Sequence, residues 1–328
     1  MRVDSRAQPG ARLEVVRRTP VAAGVVEFTL RRLGGGRVPD WTPGAHIDLV
    51  LPNGTTRQYS LCGDPFIADE YRISVLREDA GRGGSAYIHD ELQCADLVGF
   101  GGPRNNFALV PATRYLFIAG GIGITPILPM MRAARALGIP FTLLYLGRSR
   151  ATMAHLDELA AFDGVDCCTI EIHAADERGR ADLAAWLGAF DPDVKTYVCG
   201  PERLLDAVEE LTSSWRAGWV RLERFAAQAS GTDAAAPARS TSYRVEAVVS
   251  GISVTVAPDQ NLAGALRDAG IDLLTSCSQG VCGTCETDVL SGVLDHRDSV
   301  LDGPERDSNT CMMPCVSRSL SDVLVLAL

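Results

Sequence analysis

Lysine is almost missing from this 328-residue chain: Lys195 is the only one, and every other basic group is an arginine. No basic cluster forms and the formal charge is −10, which makes a nucleic acid or an anionic membrane surface a poor partner. Aromatic residues make up 6% and charged residues 22%, a balance that indicates neither disorder nor a fibrous repeat. Long apolar runs are also lacking. The uncharged stretch starting at Tyr115 falls short of the roughly 20 residues a spanning helix needs, and Gly120, Gly121, Gly123, Pro126 and Pro129 interrupt it. The opening MRVDSRAQPGAR has no apolar centre and does not read as a secretory leader, so a cytoplasmic location is expected.

Cysteine, by contrast, is plentiful, with ten in the chain. In a reducing compartment disulfides are its least expected use. Cys62, Cys94, Cys167, Cys168 and Cys199 are scattered, whereas Cys277, Cys282, Cys285, Cys311 and Cys315 crowd the last 52 residues. Charge is as uneven. Residues 243–328 hold five arginines against twelve acidic groups, a net −7, while residues 1–110 balance thirteen against thirteen.

The length predicts two or three domains at about 100–200 residues each, and the patterning divides them. Residues 1–110 carry short alternating runs such as RLEVVRRT, VVEFTLRR and YRISVLRE between glycine turns, which predicts an antiparallel β-barrel or sandwich. Residues 111–228 alternate apolar runs (YLFIAG, FTLLYLG, TYVCGP) with helical stretches, which predicts an α/β domain on a parallel sheet. The small, polar stretch from Ala226 to Ser242 reads as a linker, set at 229–242, ahead of a third domain at 243–328.

Three constellations carry chemistry. Cys277, Cys282 and Cys285 form a C-x4-C-x2-C run, the spacing with which one loop wraps a plant-type [2Fe–2S] cluster and a distant cysteine completes the set. Tetrahedral zinc normally takes paired C-x2-C knuckles, and only one such pair exists here. Cys315 and Cys311 both compete for the fourth place; a loop entering the final strand favours Cys315. The second constellation is Arg57-Gln58-Tyr59-Ser60, where alternation puts Arg57 and Tyr59 on one strand face, a guanidinium for a phosphate and a ring for a planar cofactor. Gly83-Gly84-Ser85 follows as a glycine turn opening a helix, an anion site by geometry. The third is Gly120-Gly121-Ile122-Gly123-Ile124-Thr125 between a strand and a helix, with Cys199-Gly200 ending another strand, a nucleotide site of the open-sheet kind. Arg148 and Arg150 are suited to grip a 2′-phosphate and Asp176 to repel one, so NADPH and NADH both stay open on the residues alone.

In this order the motifs resemble the phthalate dioxygenase reductase family, over roughly residues 11–328. The resemblance implies a ferredoxin-reductase-type β-barrel binding FMN, an α/β domain binding NADH, and a C-terminal β-grasp ferredoxin domain. It further implies that Arg57 and the Gly83–Ser85 turn hold the FMN phosphate. Tyr59, Ser60 and the backbone of Val75 and Leu76 would border the isoalloxazine. Gly120, Gly121, Gly123 and Thr125 would frame the nucleotide, with Cys199 and Gly200 nearby and Phe225 as an aromatic near the flavin.

The expected function is therefore passage of electrons from NADH through FMN and the cluster to a separate terminal oxygenase. A Rieske-type aromatic-ring oxygenase or O-demethylase is the first choice of partner, and a cytochrome P450 the alternative. An FAD-containing ferredoxin-fused reductase is the rival within redox chemistry. A monomer is expected. No side chain is needed as nucleophile or general acid–base, so His46, His89, His155, His173 and His296 read as structural or exposed.

Overall fold

The computed structural model describes residues 12–81, 83–162, 167–225, 241–275, 277–301 and 303–328. It divides into two compact units, Met1–Glu223 and Arg224–Leu328. Residues 226–240, which include most of the expected linker, lie outside the described residues.

The first unit opens with strands β1 (Arg12–Ala22), β2 (Val25–Arg32), β3 (His46–Val50), β4 (Thr56–Ser60) and β5 (Glu70–Leu76), helix α1 (Gly84–Asp90) and strand β6 (Leu97–Arg104). They form one antiparallel sheet in the order β4-β3-β6-β1-β2-β5. A bridge between Leu61 and Ile73 joins its two edges and closes it into a barrel. Alternation fills the interior with Leu13, Val15, Phe28, Ile47, Leu49 and Ile73, all fully buried.

The chain then alternates strand and helix. In order come β7 (Arg114–Gly120), α2 (Ile124–Ala136), β8 (Phe141–Gly147), α3 (Leu156–Ala160), β9 (Cys168–Ala174), α4 (Ala175–Arg178) and α5 (Leu183–Leu187). β10 (Val194–Cys199), α6 (Glu202–Leu211) and β11 (Val220–Glu223) complete the unit. The five strands are parallel in the order β11-β10-β7-β8-β9, so the winding reverses between β7 and β10. That reversal opens a crevice at the strands' carboxyl ends, where such sheets bind ligands. Lys195 lies at the opposite end of the sheet, at the start of β10, with its ammonium 3.6 Å from the Trp219 ring centre.

The second unit contains β12 (Tyr243–Ala247), β13 (Ile252–Val256), α7 (Leu262–Asp268), β14 (Thr287–Ser291), β15 (Leu294–Asp295), α8 (Gly303–Ser308), β16 (Cys311–Met312), β17 (Arg318–Ser319) and β18 (Val323–Leu326). Its sheet runs β13-β12-β18-β14-β16, with β12 and β18 parallel at the centre and α7 packed against it. Asn261 caps α7 by accepting a 2.6 Å hydrogen bond from the Gly264 amide. Among the described residues, no helix is long and apolar enough to cross a membrane.

Tyr197 ties the barrel's exit to the parallel sheet. Its buried hydroxyl accepts from the Val110 amide at 2.7 Å and donates to the Ala108 carbonyl at 3.0 Å. Tyr197→Phe leaves both backbone groups short of a partner, a loss of about 1–3 kcal/mol. Scanning calorimetry is expected to show a lower melting midpoint for the first unit, by about 2–4 °C per kcal/mol lost; an unchanged midpoint contradicts this role.

Candidate cofactor and cluster sites

On the barrel, β4 pairs with β3 so that Leu49 faces Arg57, Asp48 faces Gln58 and His46 faces Ser60. Gln58 donates a 2.7 Å hydrogen bond to Asp48, which also pairs with Arg104. Arg57 runs across the amino end of α1. A Cβ on Gly84 would stand 2.5 Å from Arg57 Nε, so glycine there is what admits the guanidinium. Gly83 precedes it in a left-handed turn (φ 78°), and no side chain caps the helix. A positive side chain and uncapped N–H groups thus share one spot, a donor set that fits a phosphate. Ser85 closes the turn, its hydroxyl accepting from the Glu78 amide at 3.1 Å.

Tyr59 is partly buried, and burial pushes its hydroxyl well above the usual tyrosine range. Ser60 is buried. Val75 and Leu76 end β5, opposite Val26 and Val25. The Val75 carbonyl lies 2.9 Å from His89 Nε2, so α1 holds that strand end in place. His89 earns this role through position alone, one turn after the glycine motif, a signal the sequence offered only weakly.

In the crevice of the parallel sheet, Cys199 stands beside Ala119 in register. A Cβ on Gly120 would come within 2.7 Å of Pro201, one on Gly200 within 2.9 Å of the Gly120 backbone, and one on Gly123 would collide with the Cys199 carbonyl. These glycines are required by packing before any ligand arrives. They leave the amino end of α2 open, where Gly121 and Ile124 flank the turn and Thr125 donates 2.9 Å to the Ile122 carbonyl. Arg148 and Asp176 follow adjacent strands β8 and β9 and meet through a 3.0 Å backbone bond from the Asp176 amide. Arg150 is taken up by Glu177 at 3.1 Å.

Sequence reasoning missed Glu223. β11 pairs with β10 so that Glu223 stands beside Cys199, whose thiol donates toward its carboxylate at 3.7 Å. Burial pushes the Glu223 carboxyl up to about 8, and the Cys199 thiol up as well. Only the register exposes it, since VRLE reads as an ordinary strand. Phe225 follows two residues later and is exposed.

In the second unit, Cys277, Cys282, Cys285 and Cys315 are all buried. Cys277 is within hydrogen-bonding reach of Cys282 and Cys315, and Cys315 of Cys285. Cys311 instead lies in β16 opposite Asp288, half-buried. The Gln279 amide donates to Cys277 Sγ at 3.3 Å, and Thr284 Oγ1 is 3.0 Å from Cys282 Sγ. Gly280, at φ 70°, lets Val316 close in, since a Cβ there would stand 2.6 Å from its side chain. Four convergent thiols with N–H and O–H donors around them fit an iron–sulfur cluster.

A family model described as the 2Fe-2S iron-sulfur cluster binding domain matches residues 247–319. The chain is 39% identical over 321 residues to the phthalate 4,5-dioxygenase oxygenase reductase subunit of Pseudomonas putida, covering 96% of each. Among solved structures it resembles an intact type IV self-sufficient cytochrome P450 monooxygenase (TM-score 0.88, 38% identity), matching over its full length but spanning 43% of that longer protein. It also resembles phthalate dioxygenase reductase, described as a modular structure for electron transfer from pyridine nucleotides to [2Fe–2S] (TM-score 0.68, 36% identity, 97% of this chain and 98% of that one). With barrel, parallel sheet and four-thiol unit in one order, and relatives matched end to end, the chain belongs to the phthalate dioxygenase reductase family.

Proposed function

We propose that the chain is the reductase component of an oxygenase system, carrying electrons from NADH by way of FMN and a [2Fe–2S] cluster to a separate terminal oxygenase. The observation that carries this reading is the convergence of Cys277, Cys282, Cys285 and Cys315 in a chain that also holds a phosphate cradle and a sheet crevice. When bound, the flavin exchanges electrons in pairs or singly and the cluster one at a time, which joins a two-electron donor to a one-electron acceptor. The side chains bind, orient and shield.

Arg57 and the amino end of α1 hold the flavin phosphate, and the family relation favours FMN over FAD. Tyr59 and Ser60 line the ring, with the ends of Val75 and Leu76 fixed by His89. Gly120, Gly121, Gly123 and Thr125 receive the nucleotide, with Cys199, Gly200 and Glu223 beside its reactive end. Asp176 disfavours a 2′-phosphate, and the Arg150–Glu177 pair removes one guanidinium from such a role, which supports NADH. Phe225 is the aromatic that the family relation expects near the flavin. Domain limits at 1–110, 111–228 and 243–328, a monomer and a cytoplasmic setting complete the reading.

The partner is a Rieske-type oxygenase by family relation. A cytochrome P450 is the second reading, favoured by the fused P450 protein that this chain resembles over its full length. The net −7 on residues 243–328 suits a basic docking patch on either partner.

Anaerobic titration with NADH is expected to bleach flavin and cluster in turn, and extracted flavin to carry one phosphate; an unbleached spectrum sinks the reading, and a second phosphate replaces FMN by FAD. Cys315→Ser should abolish the cluster's visible absorption while Cys311→Ser retains it, and the reverse result reassigns the fourth ligand. Glu223 holds a proton in the folded chain up to about pH 8 but loses it near the usual carboxyl value when unfolded, so it costs stability as pH rises between those limits. Glu223→Gln should therefore gain on the parent in melting midpoint from pH 5 to about 8; a constant gap contradicts the half-buried, protonated carboxyl.

A further inference from the structure

Away from the crevice, Glu27, Cys62 and His155 place a carboxylate oxygen, a thiol and a ring nitrogen within 4.8 Å of one another, all buried. These are metal-ligand types, yet each is already engaged. Arg72 Nε donates to Glu27 at 3.0 Å. His155 Nε2 is 2.9 Å from Ser74 Oγ and its Nδ1 is 2.9 Å from Glu158 Oε1. Cys62 Sγ lies 3.5 Å from Ser74 Oγ. A guanidinium against the carboxylate also repels an entering cation. The cluster is a closed hydrogen-bonded network.

Glu158 is its centre. Arg72, Arg132 and His155 all converge on that one carboxylate. Arg132 Nη1 additionally donates to the carbonyls of Cys62 and Gly63, each at 2.7 Å. The places of these residues matter. Cys62 comes two positions beyond Ser60, where β4 ends, and Ser74 directly precedes Val75 on β5, so the two flank the residues read above as flavin-bearing. Arg132 lies on α2, the helix whose first turn holds Thr125. Glu158 lies on α3, beyond β8. One carboxylate therefore spans the barrel and the nucleotide helix.

Two features indicate that the arrangement is imposed. His155 sits at φ 64°, a left-handed conformation that is unfavourable for a non-glycine residue and persists only where its surroundings enforce it. Burial opposes ionisation of Glu158, yet the hydrogen bonds from His155 and Arg72 outweigh it and hold the carboxyl below its ordinary range. Neutralising that carboxylate removes the charge that two half-buried guanidinium groups share, leaving Arg72 to Glu27 and Arg132 to the carbonyls of Cys62 and Gly63.

We propose that Glu158 is a positioning residue for hydride transfer, setting the separation and tilt between the flavin-bearing strand ends and the nucleotide-bearing helix by gathering Arg72, Arg132 and His155. The inference rests on the reductase reading. The step positioned is passage of a hydride, with its electron pair, from NADH to the flavin; Glu158 neither gives nor takes a proton.

The test uses the full-length holoprotein with Glu158→Gln, and Arg132→Lys as a second variant that keeps charge but loses the planar fork. In anaerobic stopped-flow, the limiting rate of flavin reduction per bound flavin is expected to fall about 10- to 100-fold. The NADH dissociation constant should stay within about twofold, and the long-wavelength charge-transfer absorbance of reduced flavin with NAD+ should weaken. In the flavin-free chain, hydrogen exchange over residues 124–136 and 156–160 should quicken about tenfold, as the network's local opening becomes easier. A limiting rate within about twofold of the parent, with the charge-transfer band intact, overturns the proposal whatever happens to flavin content or exchange. Should Glu158→Gln fail to fold, Arg132→Lys decides by the same measures. Failure of NADH to bleach the parent protein would instead bring down the reductase reading, and this proposal with it.

Discussion

The carboxyl ends of β7 and β10 come so close that side chains are excluded between them, and much of the first unit follows from that approach. Gly120 and Gly200 pack backbone against backbone, and Gly123 lies against the Cys199 carbonyl. Because these strands adjoin where the sheet's winding reverses, the contact places the start of α2 over the crevice. It also brings Cys199 beside Glu223 through the next strand in register. α2 then carries Arg132 back toward the barrel. A glycine stretch that reads as a phosphate-binding signature is thus first a packing requirement, and the open helix end is its by-product.

The parts of the site that are local in sequence were legible there. The cysteine run, the Arg57–Ser60 strand and the glycine turn before α1 each lie within ten residues, and spacing on a strand or loop fixes which side chains share a face. The long helix α2 and the alternation of strands were equally plain. Shorter pieces such as α4 and α5 were not, because four or five residues hold no period to detect. Glu223 escaped for a different reason. Its neighbourhood depends on which residue of β10 it faces, and register between parallel strands is set by the whole sheet. Gln58 lies inside a cofactor-like motif, and spacing alone gave no sign that its amide nitrogen also donates to Asp48 on the neighbouring strand.

The Glu27–Arg72–Glu158 network lies beyond sequence reading altogether, since its members are separated by 45 and 86 positions. Reading His155 as structural or exposed captured half of its character. It is buried and fully engaged, and it joins two halves of a unit rather than filling a core. Buried polar groups of this kind gain from being satisfied together, which makes them specific where apolar packing is merely adhesive.

The central strand of the second unit's sheet has a consequence for how its thiol site is held. β18 lies between β12 and β14, so one strand pairs with two others that are far apart along the chain. Cys277, Cys282 and Cys285 precede β14, whereas Cys315 precedes β18. A cluster gripped by all four thiols therefore closes the loop between those two strands, and closing a loop in advance removes entropy that the unfolded chain would otherwise keep. Binding free energy at the thiols is then also folding free energy for the sheet, which makes the cluster a staple as well as an electron carrier.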